Sequence, residues 1–524
     1  MTKHTRRRFL EESLLAATAA AFLPGARSLA AAEPQPAKAS PGQRLSVAIV
    51  GVGGRGAEHI AQYLANPDTE ITYIVDADEK IGNLRVEKIA QKQGSKPKYV
   101  KDLRTALDDK SVDLVSTATP NHWHALVGIW AMQAGKDVYV EKPVSHDVAE
   151  GRLLVDTARR YNRVCQAGTQ GRSATGINEA IDYVRSGKIG QVKLARGLCY
   201  KPRPSIGPKG QYPIPEGVDY DLWTGPAPML PLTRPKLHYD WHWQRVYGNG
   251  DMGNQGPHQM DIARWGLGLD RLPDSVIAFG GRLGYEDAGD VANTEVGIFE
   301  AGGKTIVFEV RGLNSTPMYN AHVGTIFYGT EGYVVVASFS GGQVLDPTGK
   351  TIRSGGAAFD PQGKVVKTFS GGDDHFRNFV EASKAHDPKM LKADVLEGHL
   401  SCAYSHLANV SYYLAQPAPV EQIKTTLAAL KTHENVADCL ERTVKHLAEN
   451  NVDLSKTPLA LGPMLKIDPK QETVLGNPAA VALLSREFRK PFTVELASAD
   501  HAPCTAPQRR RRAAGIFGRR ARRP

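Results

Sequence analysis

Short apolar segments alternate with helical stretches between residues 44 and 167. Strands are predicted where these segments are rich in β-branched residues: Val47–Val50, Ile71–Val75, Val112–Ala118 and Asp137–Val140. One helix is predicted at Ala57–Leu64, and another ends near Ala134. Strands that alternate with helices indicate βαβ units, and therefore a doubly wound parallel sheet.

From about Gly168 to residue 415, closely spaced strands replace this alternation. They are predicted at Val192–Tyr200, Val276–Gly281, Glu295–Phe299, Thr305–Val310, Thr325–Tyr328 and Tyr333–Ala337. Such spacing predicts a second domain with an open, largely antiparallel sheet. The helical segments Val395–Leu414 and Val420–Glu449 follow, and residues 416–494 are predicted to form a helical C-terminal extension.

The first 32 residues have the pattern of an export signal. Arg6 and Arg7 precede an apolar stretch, Leu14–Leu23, with small residues at Ala30–Ala32. This pattern is typical of a twin-arginine signal, which predicts the export machinery as a partner and a periplasmic or otherwise exported location. The stretch is shorter than the roughly 20 residues that span a bilayer, so no stable membrane anchor is expected. The proline-rich residues 33–43 are predicted to form a linker.

The formal net charge of +10 comes mostly from one end of the chain. Eight arginines lie within residues 495–524, a basic tail with few apolar residues that is predicted to be disordered. Without them the formal charge is +2, so no nucleic-acid partner is expected. The five cysteines form no paired motif. His122 and His124 have no cysteine or carboxylate cluster beside them, so no metal site is expected.

A glycine motif of the form G-x-G-x-x-G follows the first predicted strand directly. It contains Gly51, Gly53, Gly54, Arg55 and Gly56. Glycines at these positions make a tight turn, admit a pyrophosphate and let the next helix approach the strand, with the helix N-terminus facing the anion. Asp76 ends the second predicted strand, where an acid can bond a ribose hydroxyl. The motif therefore predicts a Rossmann domain that binds NAD, while Arg55 and Lys80 leave NADP open.

Two further pairs of residues follow predicted strands, Thr119-Pro120 and Glu141-Lys142. Ligands of doubly wound sheets bind at the carboxyl ends of the strands. We therefore expect both pairs to converge on the nicotinamide end of the cofactor.

With these motifs the chain resembles the Gfo/Idh/MocA oxidoreductase family, which includes glucose–fructose oxidoreductase and inositol dehydrogenase. The matching segments are the glycine motif, Asp76, Thr119-Pro120 with His124, Gly135–Val138, Glu141–Pro143, Leu222–Pro228 and Gly250–Asp261. The resemblance covers about residues 45–414. It implies that residues 168–415 form a substrate domain whose broad sheet has helices on one face, and that the protein forms a homo-oligomer.

The resemblance also implies the roles of the site residues. Lys142 would lie between the nicotinamide ribose and the substrate, and His258 would act as acid and base on a sugar hydroxyl. Further cofactor contacts are implied for Thr119, Pro120, His124 and Glu141. These types suit alcohol oxidation, because histidine titrates near working pH and lysine can donate to the same oxygen.

One position departs from the family pattern. Many members have an aspartate four residues before the histidine, whereas this chain has Asn254. Asparagine can orient a substrate but cannot exchange protons as a carboxylate does. The neighbouring Asp261 could support the imidazole of His258 or cap local structure. The aromatic segment Tyr239–Arg245 could line a sugar site or anchor a loop in the core.

Export of the protein limits how a nicotinamide cofactor could be supplied to it. Free NAD is not expected outside the cytoplasm, and the twin-arginine route moves folded proteins, so we expect a tightly bound cofactor that is regenerated on the protein. The first hypothesis is an oxidoreductase acting on a secondary hydroxyl of a sugar or polyol. The second is a redox-neutral glycosidase that passes through a transient keto-sugar. The third, motivated by Asn254, is a non-catalytic protein that binds a nucleotide or carbohydrate.

Overall fold

The computed structural model describes residues 44–337 and 355–494, together with the backbone of two short strands at 344–345 and 351–352. The predicted signal, linker and basic tail lie outside the described residues.

The described residues of the first domain form a parallel sheet with six strands in the order β3-β2-β1-β4-β5-β6. The strands are β1 Leu45–Val50, β2 Thr69–Val75, β3 Lys98–Val100, β4 Leu114–Thr117, β5 Asp137–Val140 and β6 Cys165–Ala167. The sequence prediction missed the two edge strands, β3 and β6. Each has three residues and carries a polar side chain, so neither produces an extended apolar run.

Helices cover both faces of this sheet. They are α1 Gly54–Ala65, α2 Glu79–Gln93, α3 Leu103–Asp108, α4 Asn121–Gln133 and α5 Val148–Arg160. One face packs against α1 and α2, together with Phe376 and Phe379 from a helix much later in the chain. The other face packs against α3, α4 and α5. A sheet buried on both faces explains why β1 and β5 are apolar without alternation.

The second domain contains a larger sheet, in which the order of the main strands is β16-β15-β12-β11-β7-β10-β9-β8. Their bounds are β7 Val192–Tyr200, β8 Ser275–Gly281, β9 Thr294–Ala301, β10 Lys304–Arg311, β11 Val323–Gly329, β12 Gly332–Ala337, β15 Gly356–Phe359 and β16 Val365–Phe369. The short pair β13 Val344–Leu345 and β14 Thr351–Ile352 is separate. Neighbouring main strands are antiparallel except β7 and β10. The predicted fold class is confirmed.

Helices of the second domain include α6 Thr175–Arg185, α7 Tyr220–Thr224, α8 Gly250–Asn254, α9 Gly256–Leu267, α10 His375–Ala385 and α11 Val395–Tyr413. A continuous core joins α6, α9 and α11 to one face of the large sheet. This packing holds α8 and α9 against the first domain, because α11 also packs against α5. The segments that carry Asn254 and His258 are therefore held at the boundary between the domains.

The C-terminal extension differs from the helical segment that the sequence predicted. It contains α12 Val420–Ala428, α13 Val436–Glu449, α14 Pro478–Ala482 and the strands β17 Gln416–Pro417, β18 Ala460–Leu461, β19 Leu465–Asp468 and β20 Thr473–Leu475. Both β18 and β19 pair with β8, so the extension enlarges the sheet. Leu427 and Leu440 pack with Phe279 and Ile298 on the face opposite α9. Apolar side chains on that face explain why helices cover it.

The described residues contain no helix that combines the length and the apolar character needed to cross a membrane.

Candidate active site

The glycine motif forms a turn between β1 and α1. Gly51 has φ +77°, and a Cβ atom there would lie 2.7 Å from the Thr119 Cα; a Cβ atom at Gly56 would lie 2.0 Å from the carbonyl oxygen of Gly51. By contrast, apart from the adjoining backbone, no described atom lies within 4 Å of the Cβ positions of Gly53 and Gly54. The turn is therefore closely packed on its inner side and open on the side that a pyrophosphate would approach.

Asp76 fixes this turn from the end of β2. Its two carboxylate oxygens accept hydrogen bonds from the backbone N–H groups of Val52, at 2.8 Å, and Asp78, at 2.9 Å. A carboxylate has further acceptor capacity, so Asp76 can still bond a ribose hydroxyl. Arg85, which the sequence reasoning did not identify, donates to the carbonyl oxygen of Val52 at 2.9 Å. The open turn and this carboxylate fit an NAD cofactor.

Glu141 is a buried carboxylate with several protein partners. Its Oε1 atom lies 2.7 Å from Arg55 Nε, 2.9 Å from Gln170 Nε2 and 3.3 Å from His59 Nε2. Its Oε2 atom accepts a hydrogen bond from the backbone N–H of Lys142 at 3.0 Å. Burial opposes ionisation, but Arg55 and His59 hold the pKa of Glu141 well below its ordinary value. Glu141 thus connects the glycine turn to the backbone of Lys142.

His124 joins the two strand ends that the sequence placed at the site. Its Nδ1 atom lies 2.5 Å from the carbonyl oxygen of Pro143, and its Nε2 atom lies 2.8 Å from that of Thr119. Burial lowers the pKa of His124, and a neutral imidazole can donate to one of these oxygens at a time. This side chain therefore fixes the segments Thr119-Pro120 and Lys142-Pro143 next to each other.

Lys142 reaches from the first domain to the second. Its Nζ atom donates to the backbone oxygen of Asn254 at 2.8 Å and lies 3.4 Å from the Asn254 Oδ1. Burial lowers the pKa of Lys142 to about 8; Glu141 opposes this shift, and the positive charges of Arg55 and Lys201 add to it. An ammonium group with such a pKa can donate or release a proton near neutral pH.

His258 lies in the first turn of α9, close to Lys142. Burial lowers its pKa well below 6.5, and the positive charge of Lys142 adds to the shift. A neutral imidazole can accept a proton from a substrate hydroxyl.

Asp261 forms hydrogen bonds with Arg172 and Ser401. Both its oxygens lie 2.9 Å from Arg172 Nε, and its Oδ1 accepts a hydrogen bond from Ser401 Oγ at 2.9 Å. These contacts join α9 to α11 and to the segment after β6. Asp261 therefore stabilises helix packing, which neither of the two sequence-based alternatives described.

Further charged residues near the site were missed from the sequence. Lys201 donates to the Oε1 atom of Gln255 at 2.6 Å, and Arg203 forms two hydrogen bonds with Asp251, at 2.7 and 2.8 Å. One signal was available, because Lys201 directly follows β7 and so stands at a strand end, as Thr119 and Glu141 do. Its proximity to the site depends on how the sheet packs against the first domain.

The aromatic segment contains both buried and exposed side chains. Trp241 and Trp243 are buried in hydrophobic clusters, as loop anchors would be. His242 stacks on Trp241 with ring centroids 3.7 Å apart, and Tyr239 is 55% exposed. Burial lowers the pKa of His242 to about 4, and Lys142 contributes to this shift. His242 therefore lies near enough to Lys142 to be affected by its charge.

The two histidines considered as metal ligands contact different backbone oxygens. His122 Nε2 lies 3.0 Å from the carbonyl oxygen of Trp223, whereas His124 contacts Pro143 and Thr119. Within residues 44–337 and 355–494, no group of three or more His, Cys, Asp or Glu side chains is arranged to hold a metal ion.

The fold and this geometry define a two-domain protein whose first domain is of the Rossmann type. Residues 45–169 match the family described as "Oxidoreductase family, NAD-binding Rossmann fold", and residues 207–329 match "Oxidoreductase family, C-terminal alpha/beta domain". The chain thus carries the NAD-binding Rossmann domain and the C-terminal domain of the Gfo/Idh/MocA family.

Curated relatives include both dehydrogenases and glycosidases. The chain is 26% identical over 240 residues to levoglucosan dehydrogenase of Pseudarthrobacter phenanthrenivorans, covering 45% of this chain and 54% of that protein. It is 30% identical over 209 residues to a glycosyl hydrolase family 109 protein of Shewanella pealeana, covering 36% and 44%. The matches therefore span about half the length of these relatives.

The fold is also found in a solved structure, a putative NADPH-dependent oxidoreductase of Desulfitobacterium hafniense. The two structures have a TM-score of 0.54 and 14% sequence identity, and the alignment covers 71% of this chain and 96% of the other. This similarity concerns the fold alone.

Proposed function

We propose that the protein is an exported oxidoreductase that transfers hydride between a tightly bound NAD and a secondary hydroxyl of a sugar or polyol. The observation that supports this most directly is the position of Lys142, between the glycine turn of one domain and Asn254 of the other. Levoglucosan dehydrogenase, a relative over 240 residues, is consistent with a sugar as substrate.

The site residues can divide the chemistry of alcohol oxidation between them. His258, neutral at pH 7, takes the proton of the substrate hydroxyl while the C–H bond at the carbon that carries this hydroxyl breaks. Protonated Lys142 donates a hydrogen bond to the same oxygen and lowers the energy of the negative charge that develops on it. When bound, NAD supplies the hydride acceptor. Asn254 can orient a neighbouring hydroxyl but takes no proton.

The charges around Asp76 favour NAD over NADP. Lys80 and Arg55 are the two cations that the sequence offered for a 2′-phosphate. Lys80 pairs with Glu216 at 2.9 Å, and Arg55 pairs with Glu141 at 2.7 Å. A 2′-phosphate would therefore meet the carboxylate of Asp76 with both cations already paired.

The cofactor content and the reaction can be tested on the purified protein. We expect that denaturation releases close to one NAD(H) per chain, and that a panel of sugars and polyols includes one that reduces the bound NAD, measured by absorbance. A protein that is purified without nucleotide and turns over only with added NAD would contradict tight binding. A protein that binds sugars without any turnover would support the non-catalytic hypothesis.

The glycosidase is the second candidate, and the family 109 relative favours it. In that reaction the substrate would be oxidised, lose its aglycone by elimination, gain water and be reduced again, so that no net redox change occurs. Product analysis separates the two functions. Release of an aglycone without accumulation of a keto-sugar or NADH identifies the glycosidase, whereas a keto-sugar formed in proportion to NADH identifies the oxidoreductase.

The proposal also includes export of the protein and its assembly into a homo-oligomer. We expect the full chain to reach the periplasm, and the double substitution Arg6→Lys/Arg7→Lys to keep it in the cytoplasm. Fractionation of cells followed by detection of the protein measures both. The mass of the purified protein by light scattering tests whether it forms a homo-oligomer.

A further inference from the structure

A segment of the second domain, residues 213–219, lies across the N-terminus of α2 in the first domain; we name it the clasp segment. The backbone N–H of Glu79 donates to the carbonyl oxygen of Gly217 at 3.1 Å. The backbone N–H of Asp219 donates to the carbonyl oxygen of Ala77 at 2.9 Å. Asp78 and Val218 form an antiparallel bridge between these hydrogen bonds. Backbone pairing thus joins the two domains through residues that lie more than 130 positions apart in the sequence.

Side chains strengthen the same contact. His238 Nε2 lies 2.9 Å from the Oδ2 atom of Asp78, and Lys80 Nζ lies 2.9 Å from the Oε2 atom of Glu216. Ala77 packs against a small apolar cluster that includes Val218 and Trp223. The contact therefore combines backbone pairing, an ion pair and apolar burial.

The clasp segment is connected to the glycine turn through one carboxylate. Asp76 accepts hydrogen bonds from Asp78, which the clasp segment holds, and from Val52, which lies inside the glycine motif. Separation of the clasp segment from α2 would remove the bridge with Val218 from Asp78 and leave it held by the N–H groups of Lys80 and Ile81, which its side chain caps. One of the two contacts that fix Asp76 would then be held less firmly. The position of the clasp segment and the geometry of the ribose-binding acid are therefore coupled.

We propose that the clasp segment retains the nucleotide. The domains cannot separate at the end of the site that Asp76 marks until the pairing of Gly217 and Asp219 with α2 is broken. Dissociation of NAD(H) therefore requires opening of the clasp segment, which makes it slow. The inference rests on the proposed function for the identity of the ligand, but it concerns residues outside the reacting centre.

A disulfide across the contact tests the proposal directly. A Cβ atom at Gly217 would lie 3.9 Å from the Cβ of Glu79, within the range of roughly 3.5–4.5 Å found in disulfides. The variant Glu79→Cys/Gly217→Cys, with Cys504→Ser to remove a competing thiol, can be compared in its oxidised and reduced forms. We expect NADH to dissociate at least tenfold more slowly from the oxidised form. Equal dissociation rates in a protein shown to carry the disulfide would overturn the proposal.

The cysteine at position 217 is strained, because Gly217 has φ +89°. A second variant therefore leaves Gly217 unchanged. We expect His238→Ala/Glu216→Ala to release NADH severalfold faster than the wild type, with an unchanged melting temperature. Glu87→Ala is the matched control, since it removes the exposed ion pair with Lys96 away from the clasp segment. Unchanged dissociation from the double variant would also contradict the proposal.

These measurements use NADH added to protein that has first been stripped of nucleotide. They therefore report on the clasp segment even if the purified protein contains no NAD. Absence of nucleotide after purification would contradict the proposed tight binding, whereas a dissociation rate that does not respond to either variant would contradict the clasp.

Discussion

The two halves of the candidate site differ in how their charges are compensated. On the nucleotide side, Glu141 is surrounded by Arg55, Gln170 and His59, and its pKa is held well below its ordinary value. On the substrate side, Lys142 donates to the uncharged Asn254, and burial lowers its pKa to about 8. His258 is likewise held neutral by burial and by Lys142.

This difference distinguishes the scaffold around Glu141 from the proposed reacting centre around Lys142 and His258. A carboxylate that is fully paired keeps its charge and fixes the geometry of its neighbours, but it is a poor proton donor or acceptor. An amine and an imidazole that are buried beside each other have pKa values that allow proton exchange with a substrate. We therefore expect substitutions on the two sides to affect different measurements.

The largest effect is expected from Lys142→Met, which removes the positive charge while keeping a side chain of similar length. Loss of charge stabilisation in the transition state should lower kcat/KM about 10³-fold. The NAD content after denaturation should not change, because the glycine turn and Asp76 are untouched. Lys96→Met, an exposed lysine paired with Glu87, is the control and should retain full activity. Activity within tenfold of the wild type would remove Lys142 from the reacting centre.

The same substitution at two glycines separates folding from binding. Gly56→Ala places a Cβ atom 2.0 Å from a backbone oxygen, and we expect it to lower the free energy of unfolding by about 3 kcal/mol. At Gly53, apart from the neighbouring backbone, no described atom lies within 4 Å of the new Cβ, so Gly53→Ala should fold normally but lose NAD. Denaturant unfolding and cofactor content measure the two effects. A Gly53→Ala protein that retains its NAD would show that the pyrophosphate does not approach this face.

The sequence predicts the nucleotide side better than the substrate side for a physical reason. The glycine motif is a local turn, and Asp76 ends the next strand, so a short stretch of sequence determines their arrangement. Lys201 and Gln255, in contrast, are 54 residues apart and meet only because β7 lies beside α9 in the folded domain. The contact of Lys80 with Glu216 spans 136 residues and depends on how the domains pack.

The strands of the fold were likewise predictable only where a local sequence pattern determines them. The strands β1 and β5 are predicted because each contains a run of mostly apolar residues, whereas β3 is short and half-exposed at a sheet edge. The strands of the extension are two to four residues long and form only because β8 offers a free edge. No local pattern could have predicted them.

On the nucleotide side, Glu141→Gln should lower stability with a defined pH dependence. The change leaves Arg55 without its partner; because the Arg55 side chain is 37% exposed and water can compensate, we expect a loss of about 2 kcal/mol. The pKa of Glu141 is lower in the folded protein than its ordinary 4.5, so its ionisation stabilises the fold above that pH. The difference between wild type and variant should be full at pH 7 and shrink as the pH falls below about 4.5.

Urea unfolding across this pH range measures the difference. Glu216→Gln, which changes an exposed carboxylate that is also paired with a cation, is the matched control and should have little effect on stability. A difference between wild type and Glu141→Gln that grows toward low pH would contradict the depressed pKa.

The smallest expected effect is a shift in the pH dependence of turnover. Lys142 must be protonated to donate to the reacting oxygen, so kcat should fall as the pH rises through about 8. The positive charge of Lys201 contributes to the lowered pKa of Lys142, and Lys201→Met should therefore move this alkaline decline to higher pH by a fraction of a unit. Lys96→Met should leave it unchanged. A decline that moves to lower pH in Lys201→Met, or that persists unchanged in Lys142→Arg, would assign it to another group.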